Sequence, residues 1–455
     1  MNPKVLVVGD SSVIHTGFGR VVKEITTGLF NTGKYDIKTI GWFHWHGQKN
    51  QEVVPYEIIS TRPSKDDMYA QHTFNEVVAV FKPDVVLAVG DVWMVEPTTS
   101  SPHRNTYKLL VYVPIDGTPL SPRWKSMLEK ADKVIAYGNF GVNEMLKIGV
   151  EVSKMTSIPH GVDNKTFFPM GKEPLREKYK AKDIFVVGTV CRNQPRKNIP
   201  KLMQAFCLFA GGYLTCESCG LTFFENMPEC PLCKGKKLFL GKAKDEARLY
   251  MHMAMNEEFG WNIPELINRY NLSKKVITPS DMQVGAGVSS ESLAELYNIF
   301  DIFTLPTMGE GWGLPIAEAM ACGIPCVVTD YSGHLDFCAP CSELIRISDY
   351  VTEIGSNIDR AIVDTMDYVM KLDKLYYDDT DIFIRKWGHY IKFNYSDTKL
   401  SGLITGTKAR SMLGQASTMQ MQNFSWDKIV PQWDALVSSM VTTDKKSVKI
   451  ITERA

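Results

Sequence analysis

The chain has 455 residues, 44% hydrophobic and 22% charged, an ordinary globular make-up on a length that exceeds one hydrophobic core, so two or three domains are expected. Its 51 basic residues balance 51 acidic ones, which excludes recruitment of a polyanion by the overall field and leaves only local patches for nucleic-acid or membrane contact. No run approaches the roughly 18 apolar residues a membrane span needs, and "MNPKVLVVGDSS" enters a strand-like segment directly, unlike a signal peptide, so a cytoplasmic location is expected.

In chain order, "KVLVVGD", "DVVLAVGD", "KLLVYVP" and "KVIAYG" read as buried strands, and "RVVKEITTGLF" after Gly19 reads as a helix. Short apolar runs alternating with amphipathic segments predict βα units and a parallel sheet. The Pro- and charge-rich stretch "FFPMGKEPLREKYKAKD" reads as a linker. The same rhythm then resumes in "DIFVVGTV", "KKVITPSD", "DIFTLPT" and "GIPCVVTD". Two doubly wound domains are expected, residues 1–170 and 171–410, facing across a cleft because open sheets bind ligands beyond the carboxyl ends of their strands. Residues 411–455 form a helical tail in which Trp426 and Trp433 share one face.

Between the first strand and first helix, "HTGFGRVVKEI" places Gly17, Phe18 and Gly19. Glycines there allow backbone N–H groups to approach an anion at a helix N-terminus, and equally fit a simple tight turn. "TVCRNQPRKNIPKLMQAF" sets Arg192, Arg196 and Lys197 ahead of a second helix, a cluster suited to a diphosphate or to a solvated basic turn. In "LPTMGEGWGLPIAEAM", glycines 309, 311 and 313 precede Pro315, a residue suited to start a helix. Glu310 lies in that loop and Glu318 inside the helix, so both can face one ligand. A buried helix glutamate needs a partner, which a ligand would supply.

"CESCGLTFFENMPECPLCKG" carries Cys216, Cys219, Cys230 and Cys233 as C-x2-C-x10-C-x2-C, a thiolate set for tetrahedral structural zinc. It forms a zinc-ribbon insertion, 211–241, trailed by Lys234, Lys236, Lys237, Lys242 and Lys244. Such ribbons contact nucleic acid or protein, or serve only as folding staples. With no ligand position left open, catalysis by this metal is not expected.

The two-glutamate segment, the basic turn "CRNQPRKN", "IPHGVDNKTFFP" and the Ser-Trp helix "FSWDKIVPQW" together resemble the retaining nucleotide-sugar glycosyltransferases of the GT-B fold. The resemblance implies a hexosyl- or pentosyltransferase that needs no catalytic metal. Arg192 and Lys197 would hold the donor diphosphate, Glu310 would lie beside the donor sugar and Glu318 would bind the ribose. Gly311, Trp312, Gly313 and Leu314 would complete the donor site, and Gly17 to Gly19 would approach from the opposite domain. Where the family has an acceptor-side histidine this chain has Asp116, with His160, His44 and His46 as possible substitutes or packed loop residues. "GDSSVIHTGFGRV" with a zinc ribbon is similar to bacteriophage-encoded glycosyltransferases, which implies a hydroxymethylated base in DNA as acceptor and a host cytoplasm as setting. The alternatives are a glycan, lipid or small-molecule acceptor, or a catalytically silent binding protein.

Overall fold

The computed structural model describes residues 2–44, 53–211, 214–219, 222–223, 228–240, 244–278, 288–395 and 398–451, with backbone alone at 214–215, 222–223, 239–240 and 442–451. His46, Lys242 and the end of "KKVITPSD" lie outside the described residues.

The first unit is a seven-stranded parallel sheet: β1 (Lys4–Asp10), β2 (Asp36–Trp42), β3 (Glu57–Ser60), β4 (Val85–Val89), β5 (Lys108–Val113), β6 (Lys133–Ala136) and β7 (Met155–Ser157), in the order β3-β2-β1-β4-β5-β6-β7. Val5, Leu6 and Val7 of β1 and all five residues of β4 are fully buried, as apolar strands covered by helices on both faces must be. The helix Gly17–Asn31 lays Val21, Val22, Ile25 and Leu29 on this sheet, the spacing of a helical apolar stripe.

The second unit begins with β8 (Phe185–Val190). The four-cysteine insertion follows the helix Ile199–Gly211 as a small antiparallel sheet of β9 (Leu214–Cys216), β10 (Thr222–Phe223) and β11 (Leu238–Leu240). The main sheet resumes with β12 (Ala247–His252), β13 (Val276–Ile277), β14 (Ile302–Leu305), β15 (Cys326–Thr329) and β16 (Glu343–Ile345), ordered β13-β12-β8-β14-β15-β16. A separate antiparallel hairpin, β17 (Ile347–Thr352) with β18 (Asp359–Val363), follows.

Strand order reverses direction between β1 and β4 in one sheet and between β8 and β14 in the other. Such switch points open a crevice at the carboxyl edge, because the connections on either side leave in opposite directions.

The expected linker carries the helix Lys172–Lys178. Its Arg176 is ion-paired with Asp301 and donates to Ile299 O at 3.0 Å, so the stretch is packed on the second unit. The tail divides. The helix Gly406–Met421 starts before residue 411 and packs on the second unit, its Gly414 against Gly323. The helix Trp426–Ile451 returns to the first unit: Trp433 is fully buried with its ring 4.7 Å from Tyr112, and Asp434 pairs with Lys34 at 2.5 Å.

Candidate functional site

The site is built from the loops that leave the two switch points. β8 ends at Val190 and passes into Arg192–Lys197, and β14 ends at Leu305 and passes into the Thr307–Gly313 loop. These loops are tied together, since Met308 N donates to Arg196 O at 2.7 Å and Arg196 Nη1 donates to Gly309 O at 2.9 Å. From the other side Ser332, held at φ 76, receives Glu310 N–H on its hydroxyl at 2.8 Å.

Glu310 is thereby fixed as a buried carboxylate, 5% exposed. Lys197 Nζ is paired with its Oε1, and Arg196 Nη1 lies 3.1 Å from its Oε2. Burial alone would raise the Glu310 carboxyl, but Lys197 and Arg196 reverse that and hold it well below the usual carboxylate range. Burial and the like charge of Arg196 lower the Lys197 ammonium. Burial also works to lower Arg196, and the carboxylates of Glu310 and Asp116 outweigh it, keeping the guanidinium protonated.

The other wall comes from the first unit. β1 and β4 both run into Gly-Asp, and β5 into Pro-Ile-Asp, so Asp10, Asp91 and Asp116 stand along one carboxyl edge. Asp116 pairs with Arg360 of β18 at 2.9 Å. Asp91 is pushed up to about 6, first by burial and then by the Asp116 charge, with Arg196 opposing. The two walls are close: a Cβ on Gly309 would lie 2.1 Å from Asp116 O, and one on Gly311 would lie 2.7 Å from Pro114 Cβ. Glycine is required where two backbones approach this closely.

The sequence-predicted residues distribute unevenly over this site. Glu310 and Lys197 lie in direct contact, with Arg196 as the second cation. Arg192 lies at the rim, its side chain 62% exposed and paired with Glu257, within electrostatic reach of Asp10. Glu318 is buried, yet its partners are protein groups. Arg20 of the first unit is paired with Oε1, and Tyr297 Oη donates to Oε2 at 2.9 Å. The partners that a buried Glu318 requires are thus present within the protein. Burial raises its carboxyl, opposed by Arg20, whose own guanidinium is raised by Glu318.

The glycine loop is likewise tied by internal contacts. Thr16 caps the helix, its Oγ1 receiving Gly19 N–H at 2.9 Å and donating to Asp10 Oδ2 at 2.5 Å. A Cβ at Gly19 would meet Ile14 O and Ser11 O, both at 2.7 Å, so Gly19 serves a tight turn and its N–H is taken. Gly17 is open, and a Cβ there would lie 3.8 Å from Leu314 Cδ1. Phe18 is half-buried against the core.

Leu314 opens the helix Leu314–Ala321, whose N-cap Gly313 sits at φ 94 and offers no side-chain cap. Pro315 has no N–H and Ile316 N–H donates to Gly313 O at 2.9 Å, so this helix start offers an anion its dipole and little more than the Leu314 N–H. Trp312 is 3% exposed between Phe337 at 4.5 Å, Phe424 at 5.4 Å and His160 at 5.9 Å. Its indole is an interior packing group. His160 accepts or donates at 2.7 Å with Tyr112 Oη and is pushed down to about 3 by burial. It is a neutral core histidine and no substitute for an acceptor-side base.

Asp10, Asp91 and Arg360 are the site residues that sequence reasoning missed, whereas Arg196 was already named in the basic turn and stands as the second cation on Glu310. The two strands ending in Gly-Asp carried a signal for the acids, since a charge directly after a buried strand points beyond the carboxyl edge. Nothing local pointed to Arg360, which reaches Asp116 across the domain boundary.

Cys216, Cys219, Cys230 and Cys233 converge as expected, with their sulfurs all within 4.8 Å of one another. The 3.5 Å Cys216–Cys233 and 3.6 Å Cys219–Cys230 separations are near the roughly 3.8 Å between sulfurs around a tetrahedral ion with 2.3 Å bonds. Gly235 lies where a Cβ would come within 3.2 Å of both the Cys216 and Cys233 sulfurs. The cluster could hold a metal ion. Lys244, counted among the trailing lysines, is instead buried and paired with Asp373 at 3.0 Å.

No helix of the described residues is long and apolar enough to cross a membrane. Residues 245–376 match the family model of Glycosyl transferases group 1. EpsF of Bacillus subtilis (strain 168), named as a glycosyltransferase, is 26% identical over 185 residues, 40% of this chain and 37% of that one. Mannosylfructose-phosphate synthase of Agrobacterium fabrum is 26% identical over 195 residues, 41% of this chain and 34% of that one. The chain thus spans little more than a third of the length of either relative. Among solved structures, sucrose-phosphate synthase from Thermosynechococcus elongatus superposes with a TM-score of 0.67 at 16% identity, covering 97% of this chain and 100% of that one. Anabaena HepE in complex with UDP and glucose gives 0.62 at 15%, covering 96% and 100%. The two facing Rossmann-like sheets are those of the GT-B fold, and the match over residues 245–376 supports the glycosyl transferases group 1 family.

Proposed function

We propose that this protein transfers a sugar, with retention of configuration, from a nucleoside diphosphate sugar to an acceptor hydroxyl. The observation that carries it is the buried Lys197–Glu310–Arg196 cluster at the second switch point, beside the uncapped helix at Leu314. Two cations against one carboxylate leave positive charge where a departing diphosphate would develop its own, and the helix N-terminus adds its dipole. The HepE structure bound to UDP-glucose makes UDP the first probe.

In this mechanism Arg196, Lys197 and, at the rim, Arg192 hold the diphosphate, while Glu310 orients the two buried cations and borders the donor sugar. Glu318 reaches the ribose once Arg20 yields one of its oxygens. The acceptor hydroxyl attacks from the face the diphosphate vacates, and its proton leaves toward the diphosphate oxygens, which gives retention. Asp91 borders the reacting hydroxyl on the first-unit side. The four cysteines hold zinc as a folding staple, with no step of transfer assigned to it.

An uncharged acceptor is favoured because Asp10, Asp91 and Asp116 make the acceptor wall acidic, which repels a phosphate backbone. A hydroxymethylated base in DNA is the second reading, favoured by the exposed Lys236 and Lys237 on the insertion. Assay of purified protein with UDP-hexoses tests both. Transfer to neutral glycosides, with the anomer read by NMR, is expected; transfer only to hydroxymethylated duplex would reverse the choice, and inversion at the anomeric carbon would remove the retaining mechanism. Glu310→Gln should chiefly lower kcat and Glu318→Gln chiefly raise KM. Wild-type kinetics in both variants would dismantle the site.

A further inference from the structure

A cavity of about 480 Å3 opens on the first unit beside the acidic wall, lined in part by Tyr69, Trp93, Gln71, Asn75, Glu96 and Ser101. Ligand pockets commonly measure roughly 300–1,000 Å3, so the space suits a small molecule. Trp93 and Glu96 belong to the segment that follows the carboxyl end of β4, two and five residues after Asp91, which places this side of the cavity beyond that strand. Tyr69 is close enough for Asp10 and Asp91, after burial, to raise its hydroxyl.

The lining has a definite chemistry. Trp93 is 46% exposed although large and apolar, and it packs edge-on to Tyr69 with ring centroids 5.0 Å apart at 82°. Tyr69 is itself anchored edge-on to the buried Trp42 at 5.4 Å and to Phe43 at 5.9 Å. The indole face is therefore held rigid by a chain of aromatic contacts, and ordering it on binding costs little. Around it the polar rim is fixed by internal hydrogen bonds. Ser101 Oγ donates to Asn75 Oδ1 at 2.7 Å, and Gln71 Oε1 receives Tyr69 N–H at 3.0 Å, which leaves the Gln71 NH2 as a donor. Glu96 supplies a carboxylate acceptor. No Lys, Arg or His lines the cavity among the described residues.

An aromatic plate ringed by amide, hydroxyl and carboxylate groups, with no cation, matches one ligand class. A pyranose presents an apolar C–H face to stack and a ring of hydroxyls that both donate and accept. A phosphate, a sugar phosphate or a nucleic-acid backbone would meet the Glu96 carboxylate and no cation among the described lining residues. We infer that the Trp93 cavity is the acceptor subsite of the cleft and takes an uncharged sugar or glycoside, whose free hydroxyl is presented toward Asp91. This rests on the glycosyl-transfer reading above and names its substrate class.

The test uses the full-length protein, UDP-glucose and a panel of neutral methyl hexosides. Wild type should show saturable transfer or saturation-transfer NMR binding to at least one hexoside. Trp93→Ala should raise the KM or Kd for that hexoside at least tenfold, Trp93→Phe should recover most of the loss, and UDP affinity by calorimetry should stay within twofold as a control for folding. A Trp93→Ala protein with unchanged hexoside affinity overturns the subsite while leaving glycosyl transfer standing, as does transfer confined to hydroxymethylated DNA or to sugar phosphates. No binding of any hexoside to wild type that still hydrolyses UDP-glucose also overturns it. Absence of both hydrolysis and nucleotide binding with UDP-, ADP- and GDP-sugars alike defeats the glycosyltransferase reading itself.

Discussion

Lys197 and Glu310 are each almost inaccessible, with side chains 7% and 6% exposed, so neither charge can be left alone without a large penalty. Removing one partner of a buried pair typically costs about 3–5 kcal/mol. Lys197→Ala should destabilise by that order in urea unfolding, and adding Glu310→Gln should recover part of it; a loss below about 1 kcal/mol would show that Arg196 alone satisfies the carboxylate. Asp91 makes the opposite prediction. Its folded-state value of about 6 lies above that of an exposed aspartate, so the native state binds the proton more tightly and stability falls as pH rises from about 4 to 6. The shift corresponds to about 3 kcal/mol at most at pH 7. Asp91→Asn should therefore stabilise the protein at pH 7.5 and have little effect at pH 4.5, and equal effects at both would refute the burial of this charge.

Among the elements, the four-cysteine insertion is the one least able to hold itself, since strands of three, two and three residues bury too little apolar surface. Cys216→Ser should abolish one bound metal equivalent by elemental analysis and speed amide exchange through residues 214–240, with UDP affinity unchanged. Loss of UDP binding in that variant would mean that the insertion supports the cleft. The helix Trp426–Ile451 has the reverse character: it is long and anchored by Trp433. It packs on Gly28, where a Cβ would lie 2.5 Å from Val430 Cγ2, so only glycine permits this approach.

At the level of the whole molecule, the two units are latched by specific polar contacts as well as by apolar packing. Arg20 reaches Glu318, Arg360 reaches Asp116, Thr118 N donates to Tyr331 Oη at 2.9 Å, and Phe140 N donates to Asp336 Oδ2 at 3.1 Å. Hinged two-unit proteins move about such contacts when a ligand enters. The double variant Arg20→Ala/Arg360→Ala should show a larger radius of gyration by X-ray scattering without ligand, reversed by saturating UDP. An unchanged scattering profile would mean that the remaining packing alone sets the angle between the units.

Much of this architecture was legible because it is local. The buried strands "KVLVVGD" and "DIFVVGTV", the helix after Gly19 and the C-x2-C pairs each depend on residues near one another in sequence, where period and spacing determine structure. The basic turn and the two-glutamate loop were also legible as motifs that follow strands of one sheet, though not their direct Lys197–Glu310 pairing. What tertiary structure alone decided is every contact made across the cleft. Whether Glu318 meets a ligand or Arg20, whether Trp312 faces the cleft or the core, and which unit receives the last helix all depend on how two sheets are brought together. Residues separated by as many as 298 positions become partners there, and no periodicity within a segment records a choice made by packing between segments.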